Sequence, residues 1–348
     1  MNKLHLKVLK RLWYRFFQIW VGIGLSFYFR KILIEGKENL PQNEPVLILP
    51  NHQNSLVDAI LPTCKVDGQM HYLVRADVFK NKYADKFLRS LNLMPVYRKR
   101  DGISELSKNE IIFNECVKLL ENKERIIIFP EAGQVMARSL RSLSKGFTRI
   151  AFKAMEKSDF KTEVWLVPLG ISYESYFCFH SVVRIRFGKA VALSEYVDLY
   201  KENPQRAAIK LTNEIYQKIK PLMVHFDSYE EEKKRFHPNL PGELATLPEY
   251  FQNPNNPQER DFELIKKRGE GLLVKITHFP VLLLQNYILV TFMPNKNFKP
   301  AVTIVSGLIL FTIYYILILL ISFLVFSNIL SGVLIVALFL GIIKFNPK

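Results

Sequence analysis

The stretch Val46–Asp58 reads VLILPNHQNSLVD, an apolar run that leads directly into a polar segment. The apolar residues predict a buried strand, and chemistry in α/β sheets commonly lies where a strand ends. His52 and Asp58 follow that strand end, six residues apart. If the chain turns between them, the carboxylate fixes the imidazole tautomer and makes the other ring nitrogen a general base. The spacing alone leaves two alternatives open, a helix-capping aspartate and a structural histidine.

Outward from this stretch, short β-rich runs alternate with longer amphipathic runs between residues 32 and 226. The predicted strands are Ile32–Glu35, Val46–Pro50, His71–Arg75, Met94–Tyr97, Arg125–Phe129, Val164–Tyr173 and Val182–Phe187. The predicted helices are Asp77–Leu91, Ser104–Glu121, Lys145–Met155 and Pro204–His225. This alternation predicts an α/β fold, with a mostly parallel mixed sheet covered by helices.

A second strand end reads IIIFPEAGQ, residues 126–134. Its glutamate, Glu131, is placed to hydrogen-bond a polyol hydroxyl, and a turn or helix-cap role is the alternative. Small residues here, Gly133 among them, let a ligand approach the backbone, and free amides can bind an anion.

A third strand end, Met94–Arg100, reads MPVYRKR and finishes in three cations. Arginine suits bidentate recognition of phosphate, which makes Arg98 and Arg100 candidates, although a solvated basic face fits the same pattern. A fourth stretch, Val167–Gly170, lies within a long apolar strand. It fits either the wall of an acyl groove or plain core.

The chain of 348 residues carries a net charge of +16 and three cysteines. So few cysteines exclude a disulfide scaffold, and their spacing argues against a cysteine-zinc site. The charge points to nucleic acid, an anionic membrane or an anionic substrate. The cations of residues 1–31 are mixed with many large apolar side chains, which favours a membrane interface and argues against a nucleic-acid partner.

The C-terminal region predicts a membrane segment, because the 43 residues from Ala301 to Ile343 include no Asp, Glu, Lys or Arg. One helix of that length would be about 65 Å long, twice the bilayer core. We therefore expect a break at Ser327-Asn328 and a transmembrane hairpin over about 301–344. Lysines flank both ends, which places both ends and the catalytic domain on the cytoplasmic face.

These features divide the chain into four parts. We predict a pair of membrane-interfacial helices in residues 1–31 and a catalytic domain in 32–236. A linker follows in 237–272, and a membrane region in 273–348 combines an interfacial segment, 279–293, with the hairpin.

Taken together and in this order, the four stretches resemble the glycerolipid acyltransferase family, which includes lysophosphatidate and glycerol-3-phosphate acyltransferases. That family carries an NH-x4-D box, an apolar-proline segment ending in arginine, FPEG, and an apolar V-P. The corresponding residues here are Asn51-His52 with Asp58, Pro95 to Arg98, Phe129-Pro130-Glu131 and Val167-Pro168. The resemblance covers roughly residues 32–190.

The resemblance implies an enzyme in which His52 deprotonates an acceptor hydroxyl and Asp58 orients it. Arg98 would hold the acceptor phosphate, with Arg100 second, and Glu131 with the amides near Gly133 would position the glycerol backbone. Acyl donors in the family are acyl-coenzyme A or acyl carrier protein. The resemblance implies no cofactor and no metal.

Two positions depart from the family pattern. Five residues, not four, separate His52 from Asp58, so a bulge or wider turn must absorb one residue. This spacing resembles an H-x-N-x-x-V-D form of glycerol-3-phosphate and dihydroxyacetone-phosphate acyltransferases, in which Asn54 joins the substrate-binding candidates. Ala132 stands where the family has glycine.

The sequence thus predicts a membrane-bound acyltransferase of phospholipid synthesis. Its acceptor is a phosphorylated glycerol, with 1-acyl-glycerol-3-phosphate first and glycerol-3-phosphate second. The alternative is a non-catalytic membrane lipid-binding or scaffold protein that keeps a degenerate acyltransferase fold.

Overall fold

The strand Val46–Pro50 is buried on both of its faces. Because successive side chains of a strand point to opposite sides, Leu47 and Leu49 enter one hydrophobic core while Val46 and Ile48 enter another. A strand of this kind requires a sheet with helices on both faces.

The computed structural model describes residues 3–98, 102–177, 179–228, 230–232, 271–292 and 298–344. The strands are β1 Lys31–Glu35, β2 Val46–Pro50, β3 Met70–Arg75, β4 Leu93–Val96, β5 Arg125–Ile127, β6 Trp165–Tyr173, β7 Val182–Phe187 and β8 Val191–Ala192. The helices of the N-terminal part are α1 Lys3–Tyr28, α2 Ser55–Thr63, α3 Lys82–Ser90, α4 Ile103–Leu106, α5 Asn109–Glu121, α6 Gly146–Lys157, α7 Val197–Glu202 and α8 Pro204–Ile219. Those of the C-terminal part are α9 Leu272–Thr277, α10 Phe279–Phe292, α11 Lys299–Phe326 and α12 Ile329–Lys344.

The strands form one sheet in the order β1-β7-β6-β2-β5-β3-β4, with β8 beside β6. Strands β2 to β6 all run in the same direction, whereas β7 and β8 pair with β6 antiparallel, and β1 runs parallel to β7. The predicted mostly parallel mixed sheet is confirmed. The carboxyl ends of β2, β3, β4 and β5 therefore lie along one edge.

Helices cover the two faces of the sheet. On one face α5, α6 and α8 contribute buried side chains such as Phe113, Phe147 and Leu211. On the other face lie α1, α2 and the beginning of α11, represented by Leu25, Leu61 and Ile304. The C-terminal apolar region is thus packed into the same core as the N-terminal helix.

Three predicted helices are shorter than expected, each for a local reason. A 3-10 turn over Ala76–Phe79 precedes α3, because the Asn81 side chain caps that helix from outside. The predicted helix over residues 104–121 is divided between α4 and α5. Helix α8 ends at Ile219, and Pro221 then lies in a 3-10 turn, since proline lacks the N–H of a continuing helix.

The N-terminal region forms one helix over Lys3–Tyr28, so the predicted pair of helices is wrong. Helix α1 packs against the α/β domain and makes polar contacts with it. The Gln18 amide donates to the Thr63 carbonyl at 2.7 Å, and the Met70 amide donates to the Tyr14 hydroxyl at 3.1 Å. Much of its opposite surface is exposed and apolar, with Leu12 at 61% and Phe16 at 58% of their full accessible area. One face of the helix is therefore part of the domain, and the other is open.

The C-terminal region contains the predicted helical hairpin. Its break lies at Ser327, which adopts a left-handed conformation at φ 51°, and α12 folds back so that Gly332 lies against Leu319 and Ser322. Helix α11 is long and apolar enough to cross a membrane, while α10 and α12 are shorter apolar helices. The predicted linker, 237–272, lies outside the described residues except for its last two positions.

Helix α1 and the hairpin contact each other directly. The Trp20 indole donates to the Thr312 hydroxyl at 3.0 Å, and Lys344 donates to the Ser26 carbonyl at 2.8 Å. Lys344, at the end of α12, lies at the carboxyl end of α1. Its positive charge therefore also complements the dipole of α1. These contacts join the two ends of the described chain.

The partly buried His71 on β3 makes the fold sensitive to acid. Burial lowers the pKa of His71 from 6.5 to about 4, and Glu124 lies nearby at 3.9 Å. Below pH 6.5 His71 is protonated in the unfolded chain, whereas in the folded chain it stays neutral down to about pH 4. The free energy of unfolding therefore falls as the pH is lowered through this range. We expect a loss of about 2 kcal/mol between pH 7.5 and pH 5 from this group.

Denaturant unfolding of the detergent-solubilised protein at the two pH values measures this loss. His71→Gln should remove most of it, whereas His5→Gln, at an exposed position on α1, should leave it unchanged. An unchanged pH dependence in His71→Gln would show that other groups control acid stability.

Candidate active site

His52 and Asp58 meet at the carboxyl end of β2. The imidazole Nδ1 lies 2.9 Å from Asp58 Oδ2, as the sequence predicts. The Asp58 side chain is fully buried, while the His52 side chain keeps 18% of its accessible area. The His52 ring also stacks on Phe129, with ring centroids 4.1 Å apart. The base candidate therefore has a fixed orientation and access to solvent.

Three donors surround the Asp58 carboxylate. Besides His52, the backbone amide of Asn54 donates to Oδ2 at 2.6 Å, and the Tyr173 hydroxyl donates to Oδ1 at 2.7 Å. Burial raises the pKa of Tyr173, so its hydroxyl stays protonated and able to donate. An ionised carboxylate only accepts, so His52 must carry its proton on Nδ1, which leaves Nε2 as the basic nitrogen.

Five residues separate His52 from Asp58, and the chain accommodates the extra residue at the start of α2. Ser55, the first residue of that helix, adopts a left-handed conformation at φ 49°. This turn brings the first helical turn back under the loop, so that Asp58 bonds the Asn54 amide at the helix N-terminus. Asp58 therefore caps the helix and orients His52 at once, which unites two roles that the sequence leaves as alternatives. Helix α2 itself is absent from the sequence prediction.

Asn51 ties the loop that carries His52 to strand β6. Its side-chain amide donates to the Ile171 carbonyl at 3.0 Å, and its side-chain oxygen accepts from the Ile171 amide at 2.7 Å. Asn51 is fully buried, so these bonds replace the backbone pairing that ends with β2. Asn51 thus has a structural role, because its bonds to β6 fix the position of the loop that carries His52.

Glu131 lies beside the same loop, and protein donors bond both of its oxygens. Oε1 accepts from the His52 amide at 2.7 Å, while Oε2 accepts from the Arg141 Nε at 3.1 Å and from its backbone amide at 3.3 Å. Burial raises the pKa of Glu131, and the bonds from His52 and Arg141 oppose that rise. Glu131 therefore links two loops, and its predicted contact with substrate stays a prediction.

The other predicted residues have mixed outcomes. Asn54 is buried at the N-terminus of α2, and its side-chain oxygen has no hydrogen-bond partner in the described structure. Arg98 follows β4 at the same sheet edge and lies 3.8 Å from Asp77. Gly133 accepts from Arg141 through its carbonyl. Arg100 lies outside the described residues. The stretch around Pro168 is buried in β6, as a core role requires.

Two residues of the site are missed by sequence reasoning. Tyr173 closes a predicted strand, and its position at a strand end is the signal that could have identified it. Arg141 lies between β5 and α6, where no sequence pattern marks it except its proximity to Glu131. Among the described residues, no three His, Cys, Asp or Glu side chains are grouped so that they could hold a metal ion.

Comparison with known proteins finds similarity to acyltransferases. Residues 31–172 match the family described as Acyltransferase, and this span includes His52, Asp58, Arg98 and Glu131. The 1-acyl-sn-glycerol-3-phosphate acyltransferase of Bacillus subtilis (strain 168) is 28% identical over 99 residues, which cover 28% of this chain and 46% of that protein. The chain thus matches about half the length of that relative. The crystal structure of the 1-acyl-sn-glycerophosphate acyltransferase PlsC from Thermotoga maritima aligns with a TM-score of 0.41 at 20% identity, covering 59% of this chain and 82% of that one.

Ala132 occupies a backbone conformation that favours glycine, at φ 54°. A left-handed conformation costs a residue with a side chain about 1–2 kcal/mol, and the greater freedom of glycine in the unfolded chain offsets part of any gain. We expect Ala132→Gly to raise the free energy of unfolding by up to about 1 kcal/mol.

Denaturant unfolding of the purified protein measures this gain. Ala151→Gly is the matched control, since Ala151 is buried within helix α6 and should lose about 1 kcal/mol or more. A loss of stability in Ala132→Gly similar to that in Ala151→Gly would show that position 132 is unstrained.

Proposed function

We propose, from the match of residues 31–172 to the family described as Acyltransferase, that this chain transfers a fatty acyl group from a thioester to a phosphorylated glycerol. The observation that carries the proposal is the contact of 2.9 Å between His52 and the buried Asp58 at the end of β2. The proposed acceptor is 1-acyl-glycerol-3-phosphate, which the name of the Bacillus relative supports. Glycerol-3-phosphate is the second candidate, because the box has the longer spacing.

The proposed reaction is a direct acyl transfer. His52 Nε2 removes the proton of the acceptor hydroxyl while its oxygen attacks the thioester carbonyl carbon. The tetrahedral intermediate then collapses, the carbon–sulfur bond breaks, and the leaving thiolate takes the proton back from the imidazolium. Asp58 stabilises that imidazolium and keeps the ring oriented, as the aspartate of a catalytic triad does. The products are an ester and a free thiol, and no acyl-enzyme forms.

The proposed donor is acyl-coenzyme A or acyl carrier protein, and the reaction as written requires no cofactor or metal. Asn54, Arg98, Arg100 and Gly133 remain candidate substrate contacts. Glu131 supports the site through its bonds to His52 and Arg141, in addition to any contact with the glycerol backbone.

We also propose that the protein is attached to a phospholipid membrane with its catalytic domain on the cytoplasmic side. The length and apolar character of α11 support this attachment, as do the exposed apolar residues of the hairpin. Lys299 and Lys344 lie at the two ends of the hairpin, where the positive-inside rule expects cytoplasmic residues.

An acyl-transfer assay with the detergent-solubilised protein tests the reaction. It uses labelled acyl-coenzyme A and acyl carrier protein as donors, each with 1-acyl-glycerol-3-phosphate or glycerol-3-phosphate. We expect His52→Ala to abolish product and Asp58→Asn to lower kcat by roughly 10⁴, the loss seen when the aspartate of a triad no longer sets the tautomer.

The control for this assay is His5→Ala, at an exposed position on α1, which should retain full activity. Unfolding midpoints of all variants establish that the fold is kept. Full activity in a folded His52→Ala would refute the proposed base. Absence of product with every donor and acceptor in the wild type would favour the non-catalytic lipid-binding alternative.

Two lysines near the middle of α11 should release the protein from membranes. Ile313 and Leu317 are 51% and 49% exposed, so the substitutions leave the interior unchanged. A charge at the centre of a membrane-spanning helix costs about 2.5–3.5 kcal/mol by translocon insertion. We expect Ile313→Lys with Leu317→Lys to shift the protein to the supernatant after an alkaline wash of membranes.

The matched control is Ile111→Lys, on the exposed face of α5, where the side chain is 70% exposed. This variant should remain in the pellet. Retention of the double variant on the membrane would show that another surface provides the attachment.

A further inference from the structure

Residues 223–228 and 230–232 form a strap across the loop between β5 and α6. The Phe226 amide donates to the Arg138 carbonyl in that loop at 2.7 Å. The Val224 amide donates to a side-chain hydroxyl of β6 at 2.9 Å. The strap is therefore hydrogen-bonded both to the loop and to the strand whose end lies at the candidate site.

Glu232, on the last described turn of the strap, forms a buried ion pair. Its Oε1 accepts from Arg138 Nη1 at 2.9 Å, and its Oε2 accepts from the Arg138 backbone amide at 3.2 Å. The two side chains are 14% and 10% exposed. Removing one partner of such a pair leaves the other charge buried without compensation. The position of Arg138 therefore depends on the Glu232 carboxylate.

The other side of the Arg138 guanidinium holds the end of β6. Its Nη2 donates to the carbonyls of Tyr173 and Glu174, both at 3.1 Å. The guanidinium also lies over the Tyr176 ring, 4.9 Å from the ring centroid. One arginine thus joins the strap to the backbone from which these two tyrosines extend.

Both tyrosines reach the loop that carries His52. The Tyr173 hydroxyl donates to Asp58 Oδ1 at 2.7 Å, and the Tyr176 hydroxyl donates to Gln53 Oε1 at 2.9 Å. Burial raises the pKa of both hydroxyls, so each keeps the proton that it donates. A shift of the backbone at the end of β6 would move both donors relative to this loop.

We infer that Glu232 is a positioning residue for the base. Its carboxylate holds Arg138, and Arg138 holds the backbone of Tyr173. The Tyr173 hydroxyl then keeps the Asp58 carboxylate in place against the His52 ring. This inference rests on the proposed function, in which His52 is the base. Glu232 itself lies beyond the span that matches the Acyltransferase family.

The test measures kcat and KM in the detergent-solubilised full chain, with the donor and acceptor that give product in the wild type. The variants are Glu232→Gln, Glu232→Asp, Tyr173→Phe and the double variant of Glu232→Gln with Tyr173→Phe. Glu121→Gln is the matched control, since Glu121 pairs with Lys157 on the surface, where water can replace either partner. Unfolding midpoints establish that each variant keeps its fold.

The expected result is a loss in kcat. Glu232→Gln should lower kcat roughly tenfold, the size of one lost hydrogen bond, because it removes the charge that holds Arg138. KM for donor and acceptor should change by less than about threefold, since the inferred role of Glu232 involves contact with neither. Glu232→Asp should recover part of the loss, because it keeps the charge on a shorter side chain. Glu121→Gln should match the wild type.

The double variant shows whether Glu232 acts through Tyr173. In the Tyr173→Phe background, Glu232→Gln should lower kcat by less than about twofold, because the bond to Asp58 is already absent. An equal factor in both backgrounds would make Glu232 a general structural support and overturn the inference. A rise confined to KM would overturn it as well. If Glu232→Gln does not fold, the same cycle is measured with Glu232→Asp, with a smaller loss and the same dependence expected.

Hydrogen–deuterium exchange separates this inference from the proposed reaction, because it requires no turnover. In Glu232→Gln the peptides that contain Tyr173 and the Asn54 amide, which Asp58 binds, should exchange faster than in the wild type. Peptides of α5 should be unchanged. Faster exchange at both positions in a protein without activity would support the link and reject only the reaction. Unchanged exchange at both positions would reject the link.

Discussion

The buried carboxylate of Asp58 is the constraint on which the rest of the site depends. A fully buried charge is tolerated only when donors surround it, and here three donors come from the His52 ring, the N-terminus of α2 and the end of β6. Each bond places a different element relative to the others. The orientation of the His52 ring, the start of helix α2 and the position of Tyr173 at the end of β6 are therefore consequences of one buried carboxylate.

Much of this arrangement is encoded locally, and the sequence predicts that part well. The strands β2 and β7 have the predicted bounds, and His52 and Asp58 meet as their spacing indicates. Tyr173 and Arg141 are different, because their roles depend on contacts across the sheet and between loops. The left-handed residues Ser55 and Ala132 also escape pattern analysis, since neither residue type marks that conformation as glycine does. The errors in helix length arise at caps and at Pro221, where one side chain decides the boundary.

The N-terminal and C-terminal regions show a different limit of sequence reasoning. Their composition identifies apolar, membrane-like segments, and the break at Ser327 is predicted from small polar residues. Composition does not reveal that α1 is one helix with Leu25 in the core of the α/β domain, or that Ile304 of α11 enters the same cluster. These segments are therefore structural parts of the domain as well as apolar surfaces, and deletion of either would open the core.

The contact between Trp20 and Thr312 has a consequence for the order in which the protein forms. The two residues are 292 positions apart, and chains grow from the N-terminus at about 5–20 residues per second. Helix α11 is therefore synthesised about 15 to 60 seconds after helix α1. Until then the surface of α1 around Trp20 is not covered by α11. The described core is thus completed only after α11 has been synthesised, and translation that stops before α11 leaves that core open.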